Sequence, residues 1–271
     1  MNNFEHSLTY ISDQYKLGND YKEINSFSAM RFHYLLALKE VLNQKNKCLD
    51  SEKQKMILQL EKTFVKKIKG EYSPKTMNIK KIVRGLSHSV FKVEGNRAMA
   101  TCFLVCKNDK YLYFLTNRHV VEHQRILNVV SADGKINLRG KVLIEEYPPK
   151  QDMAVIRCTK PSDDEYFTPI TFGNVDKLIE GMDIYIFGNR SGLGLGLIKG
   201  MLSSFRGDNI MMNMTTEHGT SGSAILDEYG FVVGLNVGDL KEVPYAIHGR
   251  ILKNYLKSLD IKFVENNNVE Y

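Results

Sequence analysis

From about residue 80 onward the chain breaks into many short apolar runs separated by turn signals, and this rhythm constrains the fold more than any other feature. The runs are Val90–Val93, Ala98–Cys106, Tyr111–Thr116, Arg125–Val130, Ile136–Glu145, Met153–Cys158, Asp183–Phe187, Ile198–Ser203, Ile210–Met214, Ala224–Leu226 and Phe231–Asn236. Asn108-Asp109, Asp133-Gly134, Gly207-Asp208 and Glu228-Tyr229-Gly230 punctuate them, as turn residues do between paired strands. Strands this short and this evenly spaced predict an all-β barrel or sandwich. One helix, Ile251–Leu259, closes it.

Before Ser73-Pro74 the texture is helical. Ser28–Gln44 carries Met30, Tyr34, Leu35, Leu38, Val41 and Leu42 at helical spacing. Ser51-Glu52-Lys53-Gln54 is a capping-box string, with Met56, Ile57, Leu60, Phe64 and Ile68 following on one face. A helical hairpin is expected, with residues 1–25 unassigned. The basic excess of the chain sits here: residues 1–80 hold 14 Lys and Arg against 9 Asp and Glu, out of a net charge of +6. Acidic residues are interspersed, as in Glu52, Lys53, Lys55, Glu61 and Lys62. That is a solvated helix face rather than a nucleic-acid or lipid footprint.

No run is long enough to span a membrane. The start, Met1-Asn2-Asn3-Phe4-Glu5-His6, has neither the basic end nor the apolar centre of a secretory signal. A cytoplasmic home is expected, or export by a signal-independent route. The four cysteines, Cys48, Cys102, Cys106 and Cys158, form no Cys-x-x-Cys pair. Cys102 and Cys106 lie in one run, where four strand residues separate them by about 13 Å, too far for a disulfide. Free thiols in a reducing compartment are the expectation.

Three segments carry chemistry. Tyr113-Phe114-Leu115-Thr116-Asn117-Arg118-His119-Val120-Val121 is an apolar strand that ends in a histidine. Gln151-Asp152-Met153-Ala154-Val155-Ile156 places an aspartate just before a buried strand. Gly219-Thr220-Ser221-Gly222-Ser223 makes a tight turn that can hold a hydroxyl outward and aim N–H groups beside it. A serine hydroxyl needs a base to attack at neutral pH. Histidine can take its proton and return it to a leaving amine, and a carboxylate fixes the histidine tautomer. The order His, Asp, Ser is a known order for this triad.

These strings resemble the trypsin-like serine proteases, most closely their bacterial Deg (high-temperature-requirement) branch. The resemblance covers roughly residues 85–262. Leu115-Thr116-Asn117-Arg118-His119-Val120-Val121 is similar to the family's histidine string, and Asp152-Met153-Ala154-Val155-Ile156 to its aspartate string. Gly188-Asn189-Arg190-Ser191-Gly192-Leu193 with Gly200-Met201-Leu202-Ser203 resembles the entry to the second barrel. Gly234-Leu235-Asn236 and Tyr245-Ala246-Ile247 resemble strands beside the specificity pocket. The resemblance implies a mainly β fold of two six-stranded antiparallel β-barrels, here with an α-helical N-terminal extension. The expected domains are residues 1–80 as the helical extension, which the resemblance does not explain, 81–264 as the protease domain, and 265–271 as a disordered tail. The resemblance implies His119 as general base, Asp152 as its orienter, Ser221 as nucleophile, and the Gly219 and Ser221 N–H groups as oxyanion hole. No cofactor or metal is required. A protein or peptide substrate is implied, and the apolar face of the helical segment is left to cover the barrel, dimerise or hold a regulatory protein partner.

The chain departs from the family at several points. Thr220 stands where digestive members carry the aspartate that captures a newly cut N-terminus, so that activation route is not expected. Val120 stands where extracellular members hold a disulfide cysteine, Ser223 where glycine is usual, and Arg190 where proline is usual. No PDZ-sized segment follows residue 262. By the resemblance Thr215 and Thr216 lie near the base of the pocket, with Asn236, Val237 and Gly238 along one wall. No charge is expected at its base, so a small or medium uncharged side chain before the cut is expected.

Two other strings compete with the triad. His119-Val120-Val121-Glu122-His123 spells H-x-x-E-H, an inverted zinc-protease string, but it leaves Asp152 and Ser221 unexplained. The glycines of Gly192-Leu193-Gly194-Leu195-Gly196 are followed by a β run rather than a helix, which argues against a dinucleotide loop. From another class, a protease-like binding module with an idle site would keep all three triad residues without using them.

Overall fold

The computed structural model describes residues 3–23, 27–47, 51–69, 85–95, 99–122, 124–143 and 151–266. The chain divides into two units, 1–81 and 82–271.

The first unit is three helices, α1 (Asn3–Glu23), α2 (Phe27–Lys47) and α3 (Ser51–Lys69), so α1 adds to the expected hairpin. Ile11, Met30, Tyr34, Ala37, Val41, Ile57 and Phe64 form its core. Tyr15 meets Phe64 edge to face at 5.9 Å, the geometry aromatic quadrupoles favour. The Tyr34 hydroxyl donates to Asn19 Oδ1 at 2.7 Å. Leu35 and Leu42, expected on the packed face, are 50% and 40% exposed. Met30, Tyr34 and Val41 of the expected set are buried, Leu38 packs against them, and Ala37, not expected, joins the stripe.

The second unit opens with a closed antiparallel barrel of β1 (Val90–Glu94), β2 (Met99–Lys107), β3 (Tyr111–Thr116), β4 (Ile126–Val130), β5 (Asn137–Val142) and β6 (Ala154–Thr159). The strand order is β1-β2-β3-β6-β5-β4, and β1 pairs with β4 to close the ring. Phe91, Ala100, Cys102, Leu104, Phe114, Val129, Ile156 and Cys158 fill its interior. Along β2, Ala100, Cys102 and Leu104 face that interior. Thr101, Phe103 and Val105 alternate to the other face and are equally buried. The thiols of Cys102, Cys106 and Cys158 are free; Cys48 lies outside the described residues. Burial pushes Cys158 up to about 12, so its thiolate is not populated at neutral pH.

The second barrel uses β8 (Asp183–Asn189), β9 (Leu195–Arg206), β10 (Asn209–Asn213), β11 (Ala224–Leu226), β12 (Val232–Leu240) and β13 (Val243–His248). They run in the order β11-β8-β9-β10-β13-β12, and the β11–β12 pairing closes the ring. Two short strands that no sequence signal marked, β7 (Thr171–Phe172) and β14 (Val264–Glu265), extend β12 in parallel. The disordered tail expected from residue 265 is therefore corrected at its start. Glu265 pairs with β7, and its carboxylate meets Lys253 Nζ at 2.9 Å. Residues 267–271 lie outside the described set. A single helical turn, α4 (Arg118–Val121), and the closing α5 (Gly249–Ser258) complete the unit.

Candidate active site

β3 delivers the histidine. The strand ends at Thr116, whose hydroxyl donates to the Thr101 carbonyl at 2.7 Å. Asn117 stays extended, and α4 then makes one turn in which Val120 and Val121 bury while His119 projects. Asn117 is itself fully buried, and its amide donates to the Asp152 carbonyl at 3.0 Å. Sequence reasoning missed this residue; its fixed place between strand and helix is the only signal it leaves.

Asp152 grips His119 twice. Its Oδ1 accepts the His119 backbone N–H at 2.8 Å, and its Oδ2 lies 2.5 Å from the ring Nδ1. Nδ1 therefore carries the proton, and Nε2 is left as the acceptor. Burial raises the Asp152 carboxyl, but the ring and backbone bonds from His119, with the charges of His119 and Arg118, outweigh it. The group is held below the usual carboxylate range. The H-x-x-E-H string does not lie along one helix. α4 stops at Val121 and Glu122 turns to extended backbone (φ −57, ψ 136); His123 lies outside the described residues.

Ser221 sits on a turn tied down on every side. Thr220 gives both its N–H (3.1 Å) and its hydroxyl (2.6 Å) to the Glu217 carbonyl. Asn236, fully buried in β12, donates its amide to the Thr220 carbonyl at 2.8 Å. Thr101 of the first barrel donates its hydroxyl to the Gly219 carbonyl at 2.8 Å and its N–H to the Ser221 carbonyl at 3.0 Å. Gly219 must be glycine: its φ is +90, and a Cβ there would stand 2.3 Å from the Asn189 carbonyl oxygen. Among the described residues neither the Gly219 nor the Ser221 N–H donates a hydrogen bond.

The Ser221 hydroxyl points to β12. It donates to the Val237 carbonyl at 3.0 Å, and among the described residues no hydrogen bond joins it to His119. Val237 is the extra residue of a β-bulge, because the β12–β13 register jumps between Asn236 and Gly238. A bulge frees backbone groups from the ladder and re-aims them, and this one presents a carbonyl beside the serine.

A cleft of about 430 Å³ opens at Ser221, lined by Ser191, Thr216, Glu217, His218, Gly219, Gly238 and Asp239. Of the expected pocket residues, Thr216 and Gly238 line it. Val237 adjoins it through the carbonyl bonded to Ser221. Thr215 is exposed and does not line it, and Asn236 is buried beneath the turn. The expectation concerned the base of the pocket; the cleft lining itself carries two carboxylates. Glu217 and Asp239 both reach the cleft, Glu217 paired with Arg190 and Asp239 accepting the Thr216 hydroxyl at 2.5 Å. Their position follows from the loop path after β10 and from the end of β12, which no local string encodes.

Two closed six-stranded antiparallel barrels in sequence, with this His–Asp pair on the first and a glycine-flanked serine on the second, define the double-barrel class of trypsin-like folds. A family model described as the trypsin-like peptidase domain matches residues 100–235. The chain belongs to that family.

Curated relatives include the periplasmic serine endoprotease DegP of Salmonella typhimurium strain LT2. It is 27% identical over 157 residues, which cover 52% of this chain and 32% of that protein. A probable periplasmic DegP-like serine endoprotease of Brucella suis biovar 1 is 31% identical over 133 residues, covering 46% and 25%. The chain thus spans about a third or less of the length of these relatives. Among solved structures, the serine endoprotease from Yersinia pestis superposes with TM-score 0.56 at 20% identity, covering 68% of this chain and 66% of that one. An inactive form of the Rv3671c protease of M. tuberculosis H37Rv gives TM-score 0.54 at 18% identity, covering 70% and 96%. At these identities the two structures establish the fold alone.

Proposed function

We propose that the chain is a serine endopeptidase acting through an acyl-enzyme intermediate. His119 Nε2 takes the proton of the Ser221 hydroxyl as Ser221 Oγ attacks the peptide carbonyl. Asp152 holds the imidazole in the required tautomer and stabilises the imidazolium. The Gly219 and Ser221 N–H groups receive the oxyanion, each such donor being worth roughly 3–4 kcal/mol of transition-state stabilisation. His119 then gives the proton to the leaving amine, and water repeats the sequence on the acyl-enzyme. No step calls for a metal or cofactor. The observation that carries this reading is the pair of hydrogen bonds that Asp152 accepts from His119, together with the Gly219 and Ser221 N–H groups, which donate to nothing among the described residues. Labelling by a fluorophosphonate probe tests it: Ser221→Ala should abolish labelling, and persistent labelling would refute the nucleophile.

One observation favours the idle-module reading, namely the Ser221–Val237 bond. Beyond Asn236, whose backbone is bonded to Gly222 and Ser223, the outer edge of β12 has no strand partner among the described residues. A substrate strand laid on that edge would supply an N–H to the Val237 carbonyl and release the hydroxyl to His119. The bond is then a resting state rather than a block.

The helical unit is proposed as a regulatory or partner-binding element, with a protein partner rather than nucleic acid. Its exposed Leu35, Leu42, Met56 and Leu58 supply apolar contact area. Replacing Leu35 and Leu42 by Glu in the full chain should leave peptide hydrolysis intact and abolish partner capture. Residence in a reducing, cytoplasmic compartment is proposed on the free thiols of the first barrel; the curated relatives are named periplasmic. Among the described residues no helix is long and apolar enough to cross a membrane. Cell fractionation decides the compartment.

A further inference from the structure

We infer that Arg190, Ser191 and Glu217 form a clamp that positions the oxyanion donor of Gly219, an inference that rests on the peptidase reading above. The donor belongs to the peptide unit between His218 and Gly219. If that planar unit turned over, a carbonyl would replace the N–H beside Ser221. What holds it is the Ser191 N–H, which donates to the His218 carbonyl at 2.7 Å. In a trans peptide the C=O and N–H point in opposite directions, so catching the carbonyl at Ser191 turns the Gly219 N–H away from it.

Ser191 occupies an unusual conformation to make that catch. Its φ is +48, in the left-handed region that is strained for a non-glycine residue. Such a residue persists only where its surroundings over-determine it. Here the 190–194 turn is closed by Arg190 N–H to Gly194 O (2.9 Å), Leu193 N–H to Arg190 O (2.7 Å) and Gly194 N–H to Asn189 Oδ1 (3.2 Å).

Glu217 joins this turn to the serine turn. Its Oε1 accepts both Nε (3.2 Å) and Nη2 of Arg190, and its Oε2 accepts the Ser191 hydroxyl at 3.3 Å. Its backbone carbonyl meanwhile holds Thr220. One residue thus grips the clamp with its side chain and the nucleophile's neighbour with its backbone. The ion pair is partly exposed, with Arg190 at 45%, so its strength is modest and falls with salt. A positioning device of modest strength changes the fraction of molecules with the donor in place, and so changes turnover rather than fold. Arg190 is a departure from the proline usual in the family, and the clamp gives that departure a physical role.

The test uses the full chain, with fluorescein-labelled casein as substrate and phenylboronic acid as a tetrahedral probe of the oxyanion site. Arg190→Ala and Glu217→Gln should each lower kcat about fivefold to tenfold, with KM and Tm near wild type. Phenylboronic acid should weaken in parallel. Arg190→Lys should retain most of the activity, and the exchange Arg190→Glu with Glu217→Arg should recover it. Wild-type kcat should fall between about 0.05 M and about 1 M NaCl, and that of Arg190→Ala should not. Unchanged kcat and boronate affinity in Arg190→Ala would overturn the clamp. So would a loss of activity that tracks Tm. A wild-type chain that neither cleaves casein nor takes a fluorophosphonate would instead sink the peptidase reading itself.

Discussion

The Ser221 hydroxyl gives its hydrogen bond to the Val237 carbonyl at 3.0 Å, while the His119 ring is engaged on its far side by Asp152. The proposed nucleophile and the proposed base are therefore each oriented by a separate partner.

If a substrate strand displaces the Val237 bond, longer substrates should turn over faster, not merely bind more tightly. In a series of amides with one to four residues before the cut, kcat should rise with length as backbone N–H groups reach the β12 edge. A series in which only KM changes would show that the Val237 carbonyl plays no part in releasing the serine.

Removing Ser221 or His119 should lower kcat by about 10⁶-fold, and Asp152→Asn by about 10⁴-fold, on the pattern of comparable triads. The Asp152 carboxyl is held low in the folded state, so its contribution to stability is present at neutral pH. It should be lost as pH falls below the ordinary carboxylate range and through the lowered value. Thermal melts of wild type and Asp152→Asn should therefore differ most near neutrality and converge in acid.

Gly219→Ala places a Cβ 2.3 Å from the Asn189 oxygen at φ +90. Activity should fall at least ~10²-fold through the lost donor, and Tm should fall with it. Gly207→Ala is the control. It also has positive φ (+59) but opens onto free space, and should cost about 1 kcal/mol with no change in kcat. Equal losses in the two variants would contradict the crowding argument.

Asp239 puts a carboxylate on the cleft wall, held by Thr216. Peptides with Asp or Glu before the cut should be rejected, and Asp239→Asn should relax that rejection by about tenfold. Library profiling reads this directly; acidic residues accepted by the wild-type chain would refute it.

His248 caps α5 by accepting the Arg250 N–H on Nδ1 at 3.1 Å, which requires that nitrogen to be unprotonated. Burial, reinforced by Arg250, holds its pKa below the ordinary 6.5 against the pull of Asp176 and Asp208. The unfolded chain therefore takes up the proton first. Stability should rise with pH through the window just below 6.5 and fall as acid protonates the ring. His248→Asn keeps a capping oxygen without the titration, and should flatten that slope in melts from about pH 5 to about pH 7.

The barrels were legible because their strands are short, apolar and bounded by turn residues. Tyr111–Thr116 and Ala224–Leu226 came out to the residue. The two-residue strands β7 and β14 were not, since two residues carry no period and their pairing depends on distant partners. The proposed triad residues stand in strings, whereas Asn117, Thr101 and Asp239 reach the site through tertiary geometry. Thr101 reads as one more position in an apolar run, and only the two-sided burial of β2 reveals why a hydroxyl is there. In α2 the expected Met30, Tyr34, Leu38 and Val41 face the core, and Leu35 and Leu42 do not. Leu35 and Leu42 fit the helical period as well as Val41 does, and packing alone separates them.

Thr101 has one more consequence. A single hydroxyl from the first barrel receives the Asn189 N–H at 2.9 Å and supports Gly219 in the second. The serine turn is thus moulded partly by a barrel that does not contain it. Neither barrel carries a finished copy of that turn, so the two halves of this unit cannot be shuffled, swapped or evolved apart without one relearning the shape the other supplies.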